Sequence, residues 1–104
     1  MAAIIILYTL KEGVTQEQYD HWIRNTDYPA MRGLTRVKSY INYRTVKHLF
    51  GEGKPSASYV EVFDIPDLEG FLQEDMGGSV VQQIMGEFMQ YVENPEFIVA
   101  EAVV

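Results

Sequence analysis

Apolar and polar positions along the chain fall into two periods, one of about two residues and one of about 3.6. Residues 3–10 (AIIILYTL) are β-branched and apolar and end at Lys11-Glu12-Gly13, which predicts a strand closed by a loop. Thr15 and Gln18 have capping-box spacing, and Val14 is placed to staple the entry. Tyr19, Trp22, Ile23, Thr26 and Ala30 then recur at helical spacing. Pro29 makes the last turn irregular, because its ring removes a donor, and Gly33 marks the exit. Residues 36–46 (RVKSYINYRTV) alternate as a second strand. A loop with Gly51, Gly53 and Pro55 joins it to a third strand at 57–65 (ASYVEVFDI), so the two form a long-looped hairpin. Pro66-Asp67 opens a short helix to about Asp75, and Gly77-Gly78 breaks it. Ser79 is placed to cap a longer helix whose apolar stripe is Val80, Val81, Ile84, Met85, Phe88, Met89 and Val92. Asn94-Pro95 stops that helix, and residues 96–103 (EFIVAEAV) make the last strand.

The order βαββαβ predicts an α+β domain spanning residues 1–104, a ferredoxin-like antiparallel sheet with helices on one face. Alternation splits the strands into two faces. The aliphatic set (Ile5, Leu7, Thr9, Val37, Ser39, Ile41, Tyr43, Val60, Val62, Ile98, Ala100) suits packing under helices. The other set (Ile4, Ile6, Tyr8, Lys38, Tyr40, Asn42, Arg44, Tyr59, Glu61, Phe63, Phe97, Val99) is then the open face. Such an aromatic face is too apolar to leave in water. A second subunit laid against it gives a homodimeric α+β barrel. Its cavities either bind a small molecule or are simply filled by interface side chains.

Composition narrows the classes. The chain has 104 residues, with 47% hydrophobic and 22% charged residues, the balance of a soluble globular domain. Fifteen acidic against 8 basic residues give a net charge of −7, which disfavours nucleic acid and anionic membranes as partners. The absence of cysteine removes thiol nucleophiles and thiolate metal sites, and it is compatible with a cytoplasmic protein. The apolar run Met1–Leu10 is too short to span a membrane and lacks the basic region of a secretory signal.

Three stretches carry a family resemblance: IIILYTLKEGVTQEQYDHWIRNTDYPAMRGL, VKSYINYRTV, and YVEVFDIPDLEGF with the later MGEFMQYVENPEF. Their most specific pieces are Trp22 with Asp27-Tyr28-Pro29, the segment Tyr59–Val62, and Asn94-Pro95. Together they resemble the REDY-like (HapK) family of the dimeric α+β barrel superfamily, over nearly the whole chain. The resemblance implies a homodimer and a place in the biosynthesis of prodigiosin-type tripyrrole pigments or related bacterial secondary metabolites, antibiotics among them. Superfamily relatives include cofactor-free monooxygenases, cyclases and haem-handling proteins, so the fold alone selects no reaction.

Among residues able to do chemistry, Glu61 stands first. A mid-strand acid among aromatics has its pKa raised by desolvation, which suits it to proton transfer near neutral pH. Its alternative is a salt bridge to Arg44 or Lys38. Tyr40 and Asn42 are placed to orient a carbonyl or a pyrrole N–H, or else to pack a dimer. His21, off the apolar stripe of its helix, either reaches a pocket mouth or is solvated. His48 lies on a glycine-rich loop. Asp27 either faces the cavity entrance, steering a cationic or N–H-bearing substrate, or pairs with Arg24 or Arg32. Tyr8, Trp22, Arg44, Tyr59, Phe63 and Phe97 are candidate ligand-binding residues. The two histidines lack a third ligand at metal spacing, which argues against zinc and leaves haem ligation by either one open. No nucleotide, P-loop or serine-elbow motif occurs, so no cofactor is expected. Three functions fit: a cofactor-free cyclase or dehydratase acting on a pyrrole- or indole-type substrate, a cofactor-independent oxygenase, or a non-catalytic carrier of a pathway intermediate.

Overall fold

A computed structural model describes residues 2–104. Strand β1 (Ala2–Leu10) lies between β3 (Tyr59–Asp64) and β4 (Val92–Glu101), and β2 (Ser39–Arg44) flanks β3, giving the order β2-β3-β1-β4. All pairings are antiparallel. The fold is α+β and ferredoxin-like. Helices α1 (Gln16–Trp22) and α2 (Tyr28–Arg32), the short α3 (Leu68–Gly70) and α4 (Ser79–Tyr91) complete it.

The capping box forms: the Thr15 hydroxyl accepts from the Gln18 N–H at 3.1 Å, and the Gln18 amide accepts from the Thr15 N–H at 3.1 Å. Between α1 and α2 the chain widens into a π turn over Ile23–Asp27, where the Tyr28 N–H donates to the carbonyl of Ile23. Pro29 has no N–H to continue a regular ladder, and the wider turn adds one residue. The added residue moves the buried stripe. Tyr19, Trp22 and Ile23 are buried as the spacing predicts, but the next inward positions are Asp27 and Met31 rather than Thr26 and Ala30. A second π turn, Phe71–Asp75, follows α3, with the Met76 N–H on the Phe71 carbonyl at 2.9 Å. Asp67 caps α3 through the Gly70 N–H. Gly78, not Ser79, is the N-terminal cap of α4.

The two sheet faces are the reverse of the sequence expectation. Ile6, Tyr8, Tyr40, Tyr59, Glu61 and Phe63 are buried beneath the helices. Ile41 and Tyr43 stand exposed on the uncovered face, with Ile5, Leu7, Val60 and Val62 half-buried beside them. Volume decides the matter. The helices contribute Tyr19, Trp22, Met31, Ile84 and Phe88, and the gap they leave over the sheet is filled by large rings. The aliphatic set is flatter and is left as the outer surface. At β4 the helical cover is thin: Phe88 of α4 meets Phe97 edge-on with centroids 6.3 Å apart, yet Phe97 and Val99 remain 49% and 58% exposed.

The last strand begins at Val92 rather than at residue 96. Leu7 pairs with Glu96 while Thr9 pairs with Glu93, so β4 carries one extra residue at a bulge. Asn94, with φ at 52°, takes the left-handed conformation that asparagine tolerates, and it sits in that bulge beside Pro95. The pair that ends α4 in the sequence reading thus kinks a strand instead.

Phe63→Ala is expected to cost about 3–5 kcal/mol in urea unfolding, as a buried phenylalanine does. Phe97→Ala, on the same face but half exposed, is expected to cost roughly half that or less. Equal costs would contradict this placement of the core.

Candidate functional site

The register of the sheet sets the site. On β3, Glu61 pairs with Ile6 on one side and Asn42 on the other, so it points beneath the helices from the middle of the sheet. The π turn brings Asp27 over it. Both carboxyls are buried, at 3% and 2% exposure. Tyr40, two pairs along β2 and so on the same face, is 1% exposed and stacks on its cross-strand partner Phe63, with ring centroids 3.9 Å apart. Its hydroxyl lies within hydrogen-bond reach of both Asp27 Oδ2 and Glu61 Oε1.

Proton counting fixes the state of this cluster. The Tyr40 hydroxyl has one proton and can donate to only one carboxyl. It must accept from the other, so that carboxyl is protonated. The environments agree. Burial, with the charge of Asp27 added, pushes Glu61 up to about 8, partly offset by hydrogen bonds from Tyr40 and Tyr8. Burial pushes Asp27 up to about 6, with Tyr40 and the Arg32 charge pulling the other way. Near neutral pH the pair therefore shares a proton. Burial, with the nearby Glu61 charge, raises the phenols of Tyr8, Tyr19 and Tyr40 well above their usual range, so they act as neutral donors.

Around this cluster the polar groups are paired. The Asn42 amide donates to Tyr8 Oη at 3.1 Å and to Tyr40 Oη at 3.4 Å, and Tyr8 shares a 2.5 Å bond with Tyr19. One buried side-chain atom among the described residues has no partner: Glu61 Oε2. Glu61 and Asp27 line a small cavity of about 40 Å³ with Ile6, Met31, Phe63 and Phe88. Ile6, Met31 and Phe63 also line a larger groove of about 440 Å³, which continues past Met85 and Met89 to Phe97 at the edge of the sheet. Among the described residues no polar side chain lines that groove. An unsatisfied carboxyl oxygen in a small cavity that shares walls with a hydrocarbon groove is what a ligand's N–H, O–H or acidic C–H can meet.

Several expected residues meet here: Glu61, Tyr40, Asn42, Tyr8 and Asp27 form one hydrogen-bonded cluster, Phe63 walls it, and Phe97 lines the groove mouth. Others lie elsewhere. Trp22 is buried with its indole N–H on Glu87 at 2.9 Å. His21 is on the exposed side of α1, bonded to Asn25, and His48 is exposed on the β2–β3 loop. Arg44 pairs with Asp20, which also accepts from the Tyr59 hydroxyl at 2.7 Å, on a separate polar cleft. Glu61 forms no ion pair with Arg44 or Lys38, and Asp27 forms none with Arg24 or Arg32. Asp27 stands in the interior rather than at the entrance. Among the described residues no group of three His, Asp or Glu side chains is placed to hold a metal ion, and no helix is long and apolar enough to cross a membrane.

Sequence reasoning missed Met31, Met85 and Tyr19 as parts of the site. Tyr19 and Met85 lie on apolar stripes and read as core, and Met31 falls off the stripe that the helical spacing predicts. The signal that could have found Met31 was its position four residues after Asp27 and directly before Arg32.

The HapK family, described as REDY-like protein HapK, matches residues 2–103. The chain belongs to the HapK family. Among solved structures, HapK from Hahella chejuensis is similar at 25% identity, with a TM-score of 0.79, covering 99% of this chain and 93% of that one. An ethyl tert-butyl ether D (EthD) family protein from Bacillus halodurans matches at 21% identity, TM-score 0.78, covering 99% of each chain. Hydroxynitrile lyase from Passiflora edulis matches at 14% identity, TM-score 0.79, covering 95% and 90%. The latter two likenesses are of fold. Some structural neighbours are described as dimeric, among them a ferredoxin-like protein from Thermobifida fusca at 15% identity, TM-score 0.73, covering 97% and 90%. No curated protein matches the chain.

The raised carboxyls set a pH dependence for the family fold as it occurs here. Both Asp27 and Glu61 keep their protons to higher pH in the folded chain than in the unfolded one, where they titrate near 3.8 and 4.5. Between about pH 4 and 8 the native state binds more protons, so stability falls as pH rises through that window. Urea midpoints from pH 4 to 9 are expected to show this decline, and Glu61→Gln to flatten it. Equal slopes for the two proteins would contradict the assignment.

Proposed function

We propose that this chain is a cofactor-free acid–base enzyme acting on a small, largely apolar, N–H-bearing aromatic molecule. The observation that carries the reading is the unpartnered Oε2 of buried Glu61, beside a shared proton and in a small cavity separated from an apolar groove by side chains that line both, Ile6, Met31 and Phe63 among them. The substrate's flat body occupies the groove, and its acidic hydrogen meets Glu61 Oε2. In the resting state Glu61 Oε1–H donates to Tyr40 Oη, and the Tyr40 proton goes to ionised Asp27. When Oε2 takes the substrate proton, the Oε1 proton moves to Tyr40 and the Tyr40 proton to Asp27. No charge is then left on Glu61, and Asp27 is the terminal acceptor. The reverse sequence returns a proton to a different atom of the substrate. That is the requirement of a tautomerisation, a cyclisation or a dehydration, and general acid–base transfer of this kind is worth about 10²–10⁴-fold.

Membership of the HapK family supports a pyrrole- or indole-type intermediate as the substrate, in prodigiosin-like tripyrrole or related secondary-metabolite biosynthesis. We place Tyr8, Asn42 and Phe63 with the three relay groups as site residues. Placing Trp22, His21, Arg44 and Tyr59 on other contacts removes support for their direct roles. A carrier is the second reading. It is favoured by the absence, among the described residues, of polar side chains from the main groove and by its adaptable methionines. The uncovered sheet face, with Ile41 and Tyr43 exposed beside half-buried Leu7, Val60 and Val62, supports a homodimer joined through that face.

Purified protein incubated in air with bipyrrole and indole-type intermediates, and read by mass spectrometry, is expected to give an isomer or a product lighter by water. Glu61→Gln and Tyr40→Phe are each expected to slow that conversion about 10²–10⁴-fold. Full activity in Glu61→Gln would exclude the mechanism. A gain of oxygen would make the protein an oxygenase, and a bound but unchanged ligand would make it a carrier. Light scattering is expected to give about twice the 11.9 kDa chain mass, and Val62→Arg is expected to halve it. A monomeric wild type would end the dimer reading.

A further inference from the structure

The relay works in the stated direction only if Asp27, not Glu61, is the ionised member of the pair, and the two carboxyls are chemically alike. What distinguishes them lies on α2. The outer edge of β2 has no strand beside it, and α2 caps it instead. Arg32 donates two hydrogen bonds to the carbonyl of Tyr40, from Nε at 3.0 Å and Nη2 at 2.7 Å. The hydroxyl of Tyr28 accepts from the Asn42 N–H at 2.8 Å. The Arg32 guanidinium also lies 3.6 Å from the centroid of the Tyr28 ring, and that ring meets Tyr40 edge-on with centroids 5.2 Å apart. Arg32 is therefore fixed in place by a carbonyl and an aromatic face, and it spends no hydrogen bond on a carboxylate. Its charge stays beyond ion-pair distance of Asp27, so it is not cancelled by direct pairing.

We propose that Arg32 is a positioning residue: it holds the Tyr40 backbone in register and keeps its charge on the Asp27 side of the cluster. Asp27 thereby stays ionised, and the shared proton rests on Glu61. The groups that face the pair are few. Asp27 is met by Tyr40, Glu61 and the Arg32 charge, and Glu61 by Asp27, Tyr40, Tyr8 and, farther off, Tyr19. Helix α4 brings only Val81, Ile84, Met85 and Phe88 to this cavity. Among the described residues Arg32 is thus the single cation acting on either carboxyl, and it acts on Asp27. A direct salt bridge would have held Asp27 too firmly ionised to accept a proton. A charge held at a distance leaves it able to titrate.

The proposal rests on the acid–base reading of the site, but its test needs no substrate. Side-chain carboxyl carbons of Asp27 and Glu61 are followed by ¹³C NMR from pH 3 to 10 in the full chain. In the wild type Asp27 is expected to ionise at lower pH than Glu61. Arg32→Gln, which keeps a planar donor for the Tyr40 carbonyl but loses the charge, is expected to raise the Asp27 midpoint by about one pH unit, a tenfold change. Arg32→Lys, which keeps the charge, is expected to leave it within about half a unit. Wild-type Glu61 ionising first would overturn the proposal without any variant. So would a folded Arg32→Gln with an unmoved Asp27, or an Arg32→Lys that shifts Asp27 by a full unit. An inactive protein with the expected titrations would sink the enzyme reading and leave the role of Arg32 standing.

Discussion

A phenol has one proton to give, and Tyr40 is placed where two carboxyls ask for it. Much of the local architecture meets this constraint. Two buried carboxylates with no cation in ion-pair contact would repel each other and lose their hydration, so the interior tolerates them only with a proton between them. Keeping that proton in place needs short, fixed geometry. The stack of Tyr40 on Phe63, the pairing of β2 with β3 and the capping of β2 by α2 supply it. The rings around the cluster keep bulk water from the carboxyls, and the Asn42 amide ties Tyr40 to Tyr8. Loosening any one of these would let the carboxyls part, and each would then ionise on its own.

The architecture was legible because it depends on period. The βαββαβ order, the capping box at Thr15, the hairpin and the break at Gly77-Gly78 are local signals, and the structure keeps each of them. The choice of sheet face was not legible, since both faces of this chain are apolar and alternation does not say which one the helices prefer. Ring volume against helix spacing decided that, and it is a property of the packed whole. The π turn was hidden for a related reason. Pro29 announced an irregular turn, but the sequence does not say whether the irregularity adds a residue or ends the helix. The difference moves Asp27 from a pocket entrance to its interior.

Glu61 and its aromatic surroundings could be read from a single strand, because an acid in an alternating apolar segment is conspicuous there. Tyr40 and Asn42 followed from the neighbouring strand on the same parity. The expected pairing of Glu61 with Arg44 gave way to a nearer partner: Arg44 stands opposite Tyr59, where Asp20 on α1 meets it. The methionines of the groove had no distinguishing mark, since an apolar residue on a helical stripe looks the same whether it fills a core or lines a channel. Only the shortfall of helix over β4, which leaves Phe97 half exposed, separates the two.

The extra residue at Asn94-Pro95 has a consequence for how the chain lives among copies of itself. Strand β4 is an outer strand ten residues long, with free backbone groups along one side. A straight strand of that kind is a template on which another chain can zip. Here the bulge breaks its line, the proline withholds a donor, and Glu93, Glu96 and Glu101 put repeated negative charge along it. The kink within β4 thus guards the sheet against runaway strand addition.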